Sequence, residues 1–161
     1  MKEIKLSQHG KNRGKYVALV DDEDFERVSK FEWCVKKGKN TTYATMNVYI
    51  NSKRTTQTLH QLIMEKTGID HINGDGLNCQ KYNLRQCTNQ QNSMNRIGNK
   101  NTSSQYKGVI WWDRSKKWVA QIMHNRKHVY IGLFTEEIEA AKAYDLKAKE
   151  LFGEFAWLNF K

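Results

Sequence analysis

Asp70-His71-Ile72-Asn73-Gly74-Asp75-Gly76-Leu77-Asn78, followed by Asn83-Leu84-Arg85-Gln86-Cys87-Thr88 and then Asn92, is the stretch on which the reading of this chain turns. Ile69 supplies an apolar start, Asp70 and His71 a carboxylate beside an imidazole, and the Asn-Gly-Asp-Gly run a tight turn. A second strand is predicted over residues 84–87. Thr88 then opens a helix, because Thr88 and Gln91 have the spacing of a capping box. Asn92 falls about one turn inside that helix. Two short strands packed on one helix would bring Asp70, His71 and Asn92 together.

That trio suits hydrolysis of a phosphodiester. A carboxylate oxygen and an amide oxygen are hard donors of the kind magnesium or manganese prefers, so Asp70 and Asn92 are the metal-ligand candidates. His71, near its neutral form at cellular pH, can take a proton from attacking water. A bound cation would stabilise charge on the phosphate and on the leaving oxygen. Asn83 would tether the loop or orient His71. Arg85 either contacts the scissile phosphate or makes a structural salt link. His60 either approaches a phosphate or sits buried and holds its helix.

These residues resemble the HNH, or ββα-metal, nucleases, especially homing endonucleases of phages and introns. The likeness spans roughly residues 57–96 and includes Leu59-His60-Gln61-Leu62-Ile63-Met64. It implies that His71 is the general base, that Asp70 and Asn92 bind one divalent metal, and that Asn83 is structural. Asn92 stands where the family name has its final histidine, which keeps an oxygen ligand and weakens binding of soft metals.

Outward from the motif, the chain has 161 residues and no proline, so its breaks are read from Gly, Asn, Asp and Ser. Towards the N-terminus, strands are predicted at residues 15–20, 33–35 and 43–50. Helices are predicted at 25–31, capped by Asp22 or Asp24, and at 58–67. The basic residues Lys11, Arg13, Lys15, Lys36, Lys37 and Lys39 make either phosphate contacts or a solvated face. Residues 89–105 hold few apolar side chains. Their first half reads as helix and residues 97–104 as an exposed linker.

Beyond it, residues 106–112, 118–124 and 128–134 read as three strands joined by short polar turns. A helix capped by Thr135 follows, with Ala140, Ala141, Tyr144, Ala148, Leu151 and Phe152 as its packing stripe and Gly153 as its end. Net charge is +10, and its placement is uneven. Residues 104–134 carry Lys107, Arg114, Lys116, Lys117, Arg126 and Lys127 against Asp113 alone, whereas residues 135–161 are net acidic. A basic surface beside an acidic helix marks one face for a polyanion.

Residues 104–160 are similar to the ethylene-response-factor, or apetala-type, DNA-binding domain of plants. The matching runs are Tyr106-Lys107-Gly108-Val109, Trp118-Val119-Ala120-Gln121-Ile122, Tyr130-Ile131-Gly132-Leu133-Phe134 and Ala140-Ala141-Lys142-Ala143-Tyr144-Asp145. The resemblance implies a three-stranded antiparallel sheet in the major groove, backed by one helix. It offers Lys107, Trp111, Trp112, Arg114, Lys116, Lys117, Trp118, Gln121 and Arg126, with Arg85 of the nuclease motif, as DNA contacts. One of Trp111 and Trp112 should face DNA and the other the helix. Ile110, Met123 and Tyr130 depart from the plant pattern, so a different target sequence is expected.

The expected fold is therefore α+β: a ββα-metal core with a small N-terminal sheet, plus a three-stranded antiparallel sheet on one helix. The expected domains are 1–50, a strand-rich segment; 51–97, the nuclease core; 98–104, a linker; and 105–161, the reader. The expected activity is site-specific, homing-type DNA cleavage with magnesium or manganese, in the cytoplasm of a cell hosting a phage or bacterial element. A DNA-binding regulator with a spent nuclease core is the alternative. The expected partner is double-stranded DNA, bound by a monomer. No run approaches the ~20 apolar residues of a membrane span. Cys34, Cys79 and Cys87 are expected to be ordinary reduced thiols, since they lack the paired spacing of a zinc site.

Overall fold

The computed structural model describes every residue except Gln8, Lys39, Asn40, Ile97, Asn99, Lys100, Asn101 and Lys161. The chain divides into two compact units, Met1–Asn89 and Gln90–Lys161. It is mixed α and β, with antiparallel sheets and few helices. Most of the expected linker at 97–104 lies at or beside undescribed positions.

Among the described residues, the first unit is built from three small sheets and two short α-helices. Strand β1 (Lys2–Lys5) pairs antiparallel with β2 (Val17–Val20), and α1 (Asp22–Val28) follows. Strands β3 (Cys34–Lys37), β4 (Thr42–Ile50) and β5 (Lys53–Thr58) form an antiparallel meander that leads into α2 (Leu59–Met64). Strand β6 (Ile69–His71) pairs with β7 (Leu84–Gln86), placing Asp70 opposite Arg85. One apolar core unites these pieces, with Leu6, Val20, Val28, Trp33, Leu59 and Ile69 among its buried residues. The Trp33 indole N–H is satisfied inside it by the Val28 carbonyl at 2.9 Å.

Several local expectations shift. Asp22 and Asp24 lie within the first turn of α1 instead of capping it, where their charge suits the positive end of the helix. Asp21 precedes the helix, and its carboxylate instead accepts hydrogen bonds from the Lys81 N–H and the Gln80 amide. The helix expected at 58–67 is shorter, because Glu65 adopts a left-handed conformation, φ 53°, and ends it. Strand β5 has no counterpart among the strands predicted from the sequence. Its residues Lys53-Arg-Thr-Thr-Gln-Thr carry no apolar alternation, and it forms as an edge strand turned over Asn51 and Ser52, both at positive φ.

The second unit begins within the short helix α3 (Asn89–Met94). Strands β8 (Val109–Trp112), β9 (Lys117–His124) and β10 (Lys127–Phe134) form an antiparallel sheet in the order β10-β9-β8, followed by α4 (Glu137–Phe152). Asn125 and Arg126 both take positive φ, giving the two-residue turn that matches strand twist. Thr135 does not cap α4. The capping position is Glu136, with no side-chain cap bond, and Glu137 and Glu139 occupy the first turn. Gly153 ends the helix at φ 53°.

Alanines 140, 141 and 148 let α4 lie close over the sheet, with Tyr144 and Phe152 filling the remaining volume. The fit is tightest at Gly108, where φ is +77° and a Cβ would sit 2.0 Å from the Tyr144 ring and 2.6 Å from the Gln121 carbonyl. Gly108→Ala should therefore destabilise the second unit by about 2–4 kcal/mol, combining a left-handed backbone penalty with overpacking. Urea melts of the full chain read by tryptophan emission check this, and a wild-type midpoint would contradict the packing.

Candidate functional site

Asp70, His71, Asn83 and Arg85 are brought together by the β6–β7 pair. The pairing places Asp70 and Arg85 opposite each other, and Arg85 Nη2 lies 3.0 Å from Asp70 Oδ2. Both side chains are close to nine-tenths buried, so the pair is shielded from solvent screening. Asn83 is almost fully buried. Its Oδ1 accepts the Asn73 N–H at 3.0 Å and its Nδ2 donates to the Asn78 carbonyl at 2.8 Å. One amide thus ties both ends of the loop from residue 73 to residue 78, the tethering role weighed from the sequence. Asn92 is exposed on α3, which lies in the second unit apart from its first residue.

His71 is the buried end of β6, at 5% exposure, in a pocket of unlike parts. His60, in the first turn of α2 beside the core residues Leu59 and Ile63, presents its ring at 80° to that of His71, with centroids 4.6 Å apart. Tyr43 of β4 lies against both, with centroids at 5.8 and 6.0 Å. Cys79 completes the group, with Sγ 3.8 Å from His71 Nε2. Its position is set by β2: Leu19 exchanges backbone bonds with Leu77 and Cys79 on either side of Asn78. Gly76 lets the same loop close over β4, since a Cβ there would lie 2.5 Å from the Thr42 carbonyl.

His60 is therefore a buried histidine, 6% exposed, with Nε2 3.2 Å from Thr58 Oγ1 and with no hydrogen-bond partner at Nδ1. Burial, with His71 close by, pushes its pKa down to about 3, and burial alone brings His71 down to about 4. Burial and the charge of Asp75 push the Cys79 thiol up to about 12, so it is no ready nucleophile. Both histidines are neutral at physiological pH. Above 6.5 their protonation does not differ between folded and unfolded chains. Below it the unfolded chain gains protons that the fold excludes, and each histidine lowers stability by about 1.4 kcal/mol per pH unit. The first unit should thus lose thermal stability steeply between pH 6.5 and about 4, with a shallower fall in His60→Gln. Melting curves across that range check it, and parallel profiles would contradict the burial.

In the second unit, cross-strand register sorts the sheet into two faces. Trp111, Trp118 and Phe134 share one face with Val109 and Ala120, towards α4. Trp111 and Trp118 pack edge to face at 5.0 Å, and the Trp111 N–H donates to Asp113. Trp112 points the other way and is 49% exposed, so the two neighbouring tryptophans do part to opposite faces. The open face carries Ile110, Gln121, Met123, Tyr130 and Leu133 with it, and is largely apolar. The cations gather at its ends: Arg114 and Lys116 in one turn, Arg126 in the other, with Lys117 and Lys127 at strand starts.

Lys107 lies elsewhere. Its half-buried ammonium donates to the carbonyls of Met94 and Arg96, both at 2.7 Å, and burial lowers its pKa to about 8. Asn159 holds the Lys107 backbone and is itself held by Asp145, so the C-terminal segment is stapled to the start of the sheet.

The HNH endonuclease family matches residues 59–94, the stretch running from α2 through β6 and β7 to α3. An uncharacterized HNH endonuclease of Acanthamoeba polyphaga mimivirus is 34% identical over 151 residues, covering 93% of this chain and 78% of that protein. The chain belongs to the HNH endonuclease family. It is also similar to plant proteins over shorter spans. An AP2/ERF and B3 domain-containing transcription repressor of Arabidopsis thaliana is 38% identical over 71 residues, 44% of this chain and 19% of that protein. An APETALA2-like protein of Oryza sativa subsp. indica is 40% identical over 65 residues, 40% of this chain and 15% of that protein. The chain spans a fifth or less of the length of these two plant relatives. No helix among the described residues is long and apolar enough to cross a membrane.

Of the residues that surround His71, the sequence singles out His60, marks Cys79 only as an ordinary thiol and gives no signal for Tyr43. No spacing signal marks them, because each arrives from a different strand, helix or loop.

Proposed function

We propose that this chain is a metal-dependent DNA endonuclease whose cleavage core is joined to a DNA-reading sheet. The observation that carries the reading is the β6–β7 pair, which sets a buried carboxylate beside a neutral imidazole on a loop tied by Asn83, inside the family match. The resemblance to the ββα-metal nucleases implies that α3 is the third element of the cleavage core. The same resemblance gives Asp70 and Asn92 to a divalent cation such as magnesium or manganese, and the chemistry of each side chain, a hard oxygen donor, suits such an ion. When bound, such an ion supplies charge neutralisation at the phosphate and at the leaving oxygen.

His71 does the proton work. As a water oxygen attacks phosphorus, a ring nitrogen of His71 takes the water's proton, the bond from phosphorus to the leaving sugar oxygen breaks, and that oxygen is protonated from solvent. Arg85 holds Asp70 in place before metal arrives and offers a cation to the scissile phosphate. Asn83 positions the loop and takes no part in proton transfer.

The second unit selects the site, on the strength of its resemblance to the apetala-type domain and of its similarity to plant proteins named for that domain. Arg114, Lys116, Lys117 and Arg126 grip phosphates at the ends of the sheet while Trp112 and Gln121 meet the bases; Trp111 and Trp118 support the sheet from its helix side. Lys107, engaged by two carbonyls, positions the backbone. The enzyme acts as a monomer on double-stranded DNA in a homing-type role, in the cytoplasm of the cell that carries its element.

Two measurements test the halves of this proposal. Purified chain with magnesium should convert supercoiled plasmid to nicked or linear DNA, and intact plasmid would overturn the nuclease reading. Binding should weaken with salt by ~0.9 in log K per log salt for each phosphate neutralised. Replacing Arg114, Lys116 and Lys117 together should flatten that slope, and an unchanged slope would remove the reader's grip from these turns.

A further inference from the structure

The pocket around His71 holds two further donors, His60 and Cys79, that phosphodiester cleavage does not use. His60, His71 and Cys79 each offer one ligand atom, and the three atoms lie within 4.8 Å of one another. Two imidazoles and a sulfur suit zinc or another thiophilic ion and make a poor match for magnesium. We propose that His60, His71 and Cys79 form a site for a thiophilic divalent metal such as zinc, distinct from the oxygen ligands, whose filling withdraws His71 from proton transfer.

Three observations carry the metal site. Zinc bonded to sulfur at ~2.3 Å and to nitrogen at ~2.0–2.1 Å in tetrahedral geometry holds those two atoms ~3.5 Å apart. His71 Nε2 and Cys79 Sγ already stand at 3.8 Å. Next, His60 is buried with Nδ1 unpartnered, a polar atom that normally finds a bond. Thr58 engages Nε2, and the tautomer in which Nε2 donates to Thr58 leaves a bare lone pair on Nδ1 for a metal. Finally, the three ligands come from unconnected elements that are independently fixed: α2 by its core residues, β6 by β7, and Cys79 by its backbone bond to Leu19 of β2. Little movement is needed to close the site. Ligation by sulfur releases the thiol proton to solvent, so no other reactant is required.

The metal site stands on this geometry alone, whereas its inhibitory effect rests on the reading of His71 as the general base. The test uses the full chain. Cobalt(II), a coloured substitute for zinc, should bind one per chain with a thiolate-to-metal charge-transfer absorption. The band should persist when Cys34 and Cys87 are both changed to Ser and vanish in Cys79→Ser, while His60→Gln weakens cobalt binding. No band in the wild type, or a band that survives Cys79→Ser, overturns the site. Should Cys79→Ser melt below the assay temperature, Cys79→Ala and His60→Gln carry the comparison.

In excess magnesium, zinc at slight molar excess over protein should slow plasmid cleavage by roughly 10²-fold or more, the scale of a lost general base. Cys79→Ala, compared with itself with and without zinc, should lose that inhibition whatever its own rate. Equal inhibition of both proteins overturns the inhibitory role. If magnesium supports no cleavage in any form, the nuclease reading fails, and the cobalt spectrum still decides the site.

Discussion

His71→Ala should lower the cleavage rate by ~10²–10⁴ while leaving DNA affinity within a few fold, because a general base acts in the transition state and adds little to ground-state binding. The separation matters because His71 is buried between His60 and Cys79. Removing its ring opens space in the core of the first unit, so a lower melting temperature is expected as well. Lost stability and lost chemistry are told apart by assaying at a temperature where the variant is folded, with affinity measured on the same sample. His71→Gln, which fills more of the volume without a titrating nitrogen, should be as inactive as His71→Ala and more stable. Wild-type cleavage by either variant would remove His71 from the mechanism.

The second large effect is on metal dependence. A chelator should stop cleavage, and excess magnesium or manganese should restore it. Asp70→Ala should raise the metal concentration for half activity by at least ~10–100-fold, and Asn92→Ala should move it in the same direction. Asp70 also neutralises Arg85 within a pair that is nearly buried. Its loss leaves a buried guanidinium without that partner, so Asp70→Ala should be destabilised beyond what a missing metal ligand explains. Asp70→Asn keeps the shape and one oxygen donor, and should recover stability more than activity. Manganese binding followed by electron paramagnetic resonance gives a readout independent of turnover. Cleavage that persists in excess chelator would end the metal mechanism.

Much of the second unit's sheet was legible because its signals are local. Strands β8, β9 and β10 are rich in β-branched and aromatic residues and are parted by turn-forming residues, and the stripe on α4 has helical spacing. The Asp70–His71 strand and its partner were legible for the same reason. Strand β5 was not, because six polar residues at a sheet edge form a strand through pairing with β4 and not through a buried face. Thr135 misled because the residue type favoured at a cap is only a propensity; α4 starts one residue later, with Glu136 at the cap position. The surroundings of His71 were the least legible. Tyr43, His60 and Cys79 are separated in sequence, and only the closing of three elements around β6 puts them in one pocket. Charge along the sequence likewise suggested a basic sheet, whereas strand alternation leaves the cations at its ends and an apolar face between them.

The distribution of indoles makes the two units separately visible to light. Trp33 is the one tryptophan before residue 90, sealed in the core with its N–H bonded to Val28, and should emit at short wavelength. Trp111 and Trp118 meet edge to face at 5.0 Å, close enough for their transitions to couple and give the second unit its own near-ultraviolet dichroism. Exposed Trp112 is the chromophore that a bound duplex would quench. In Trp33→Phe the remaining emission comes wholly from residues beyond 110 and reports the second unit alone, so its difference from the wild type isolates the melting of the first.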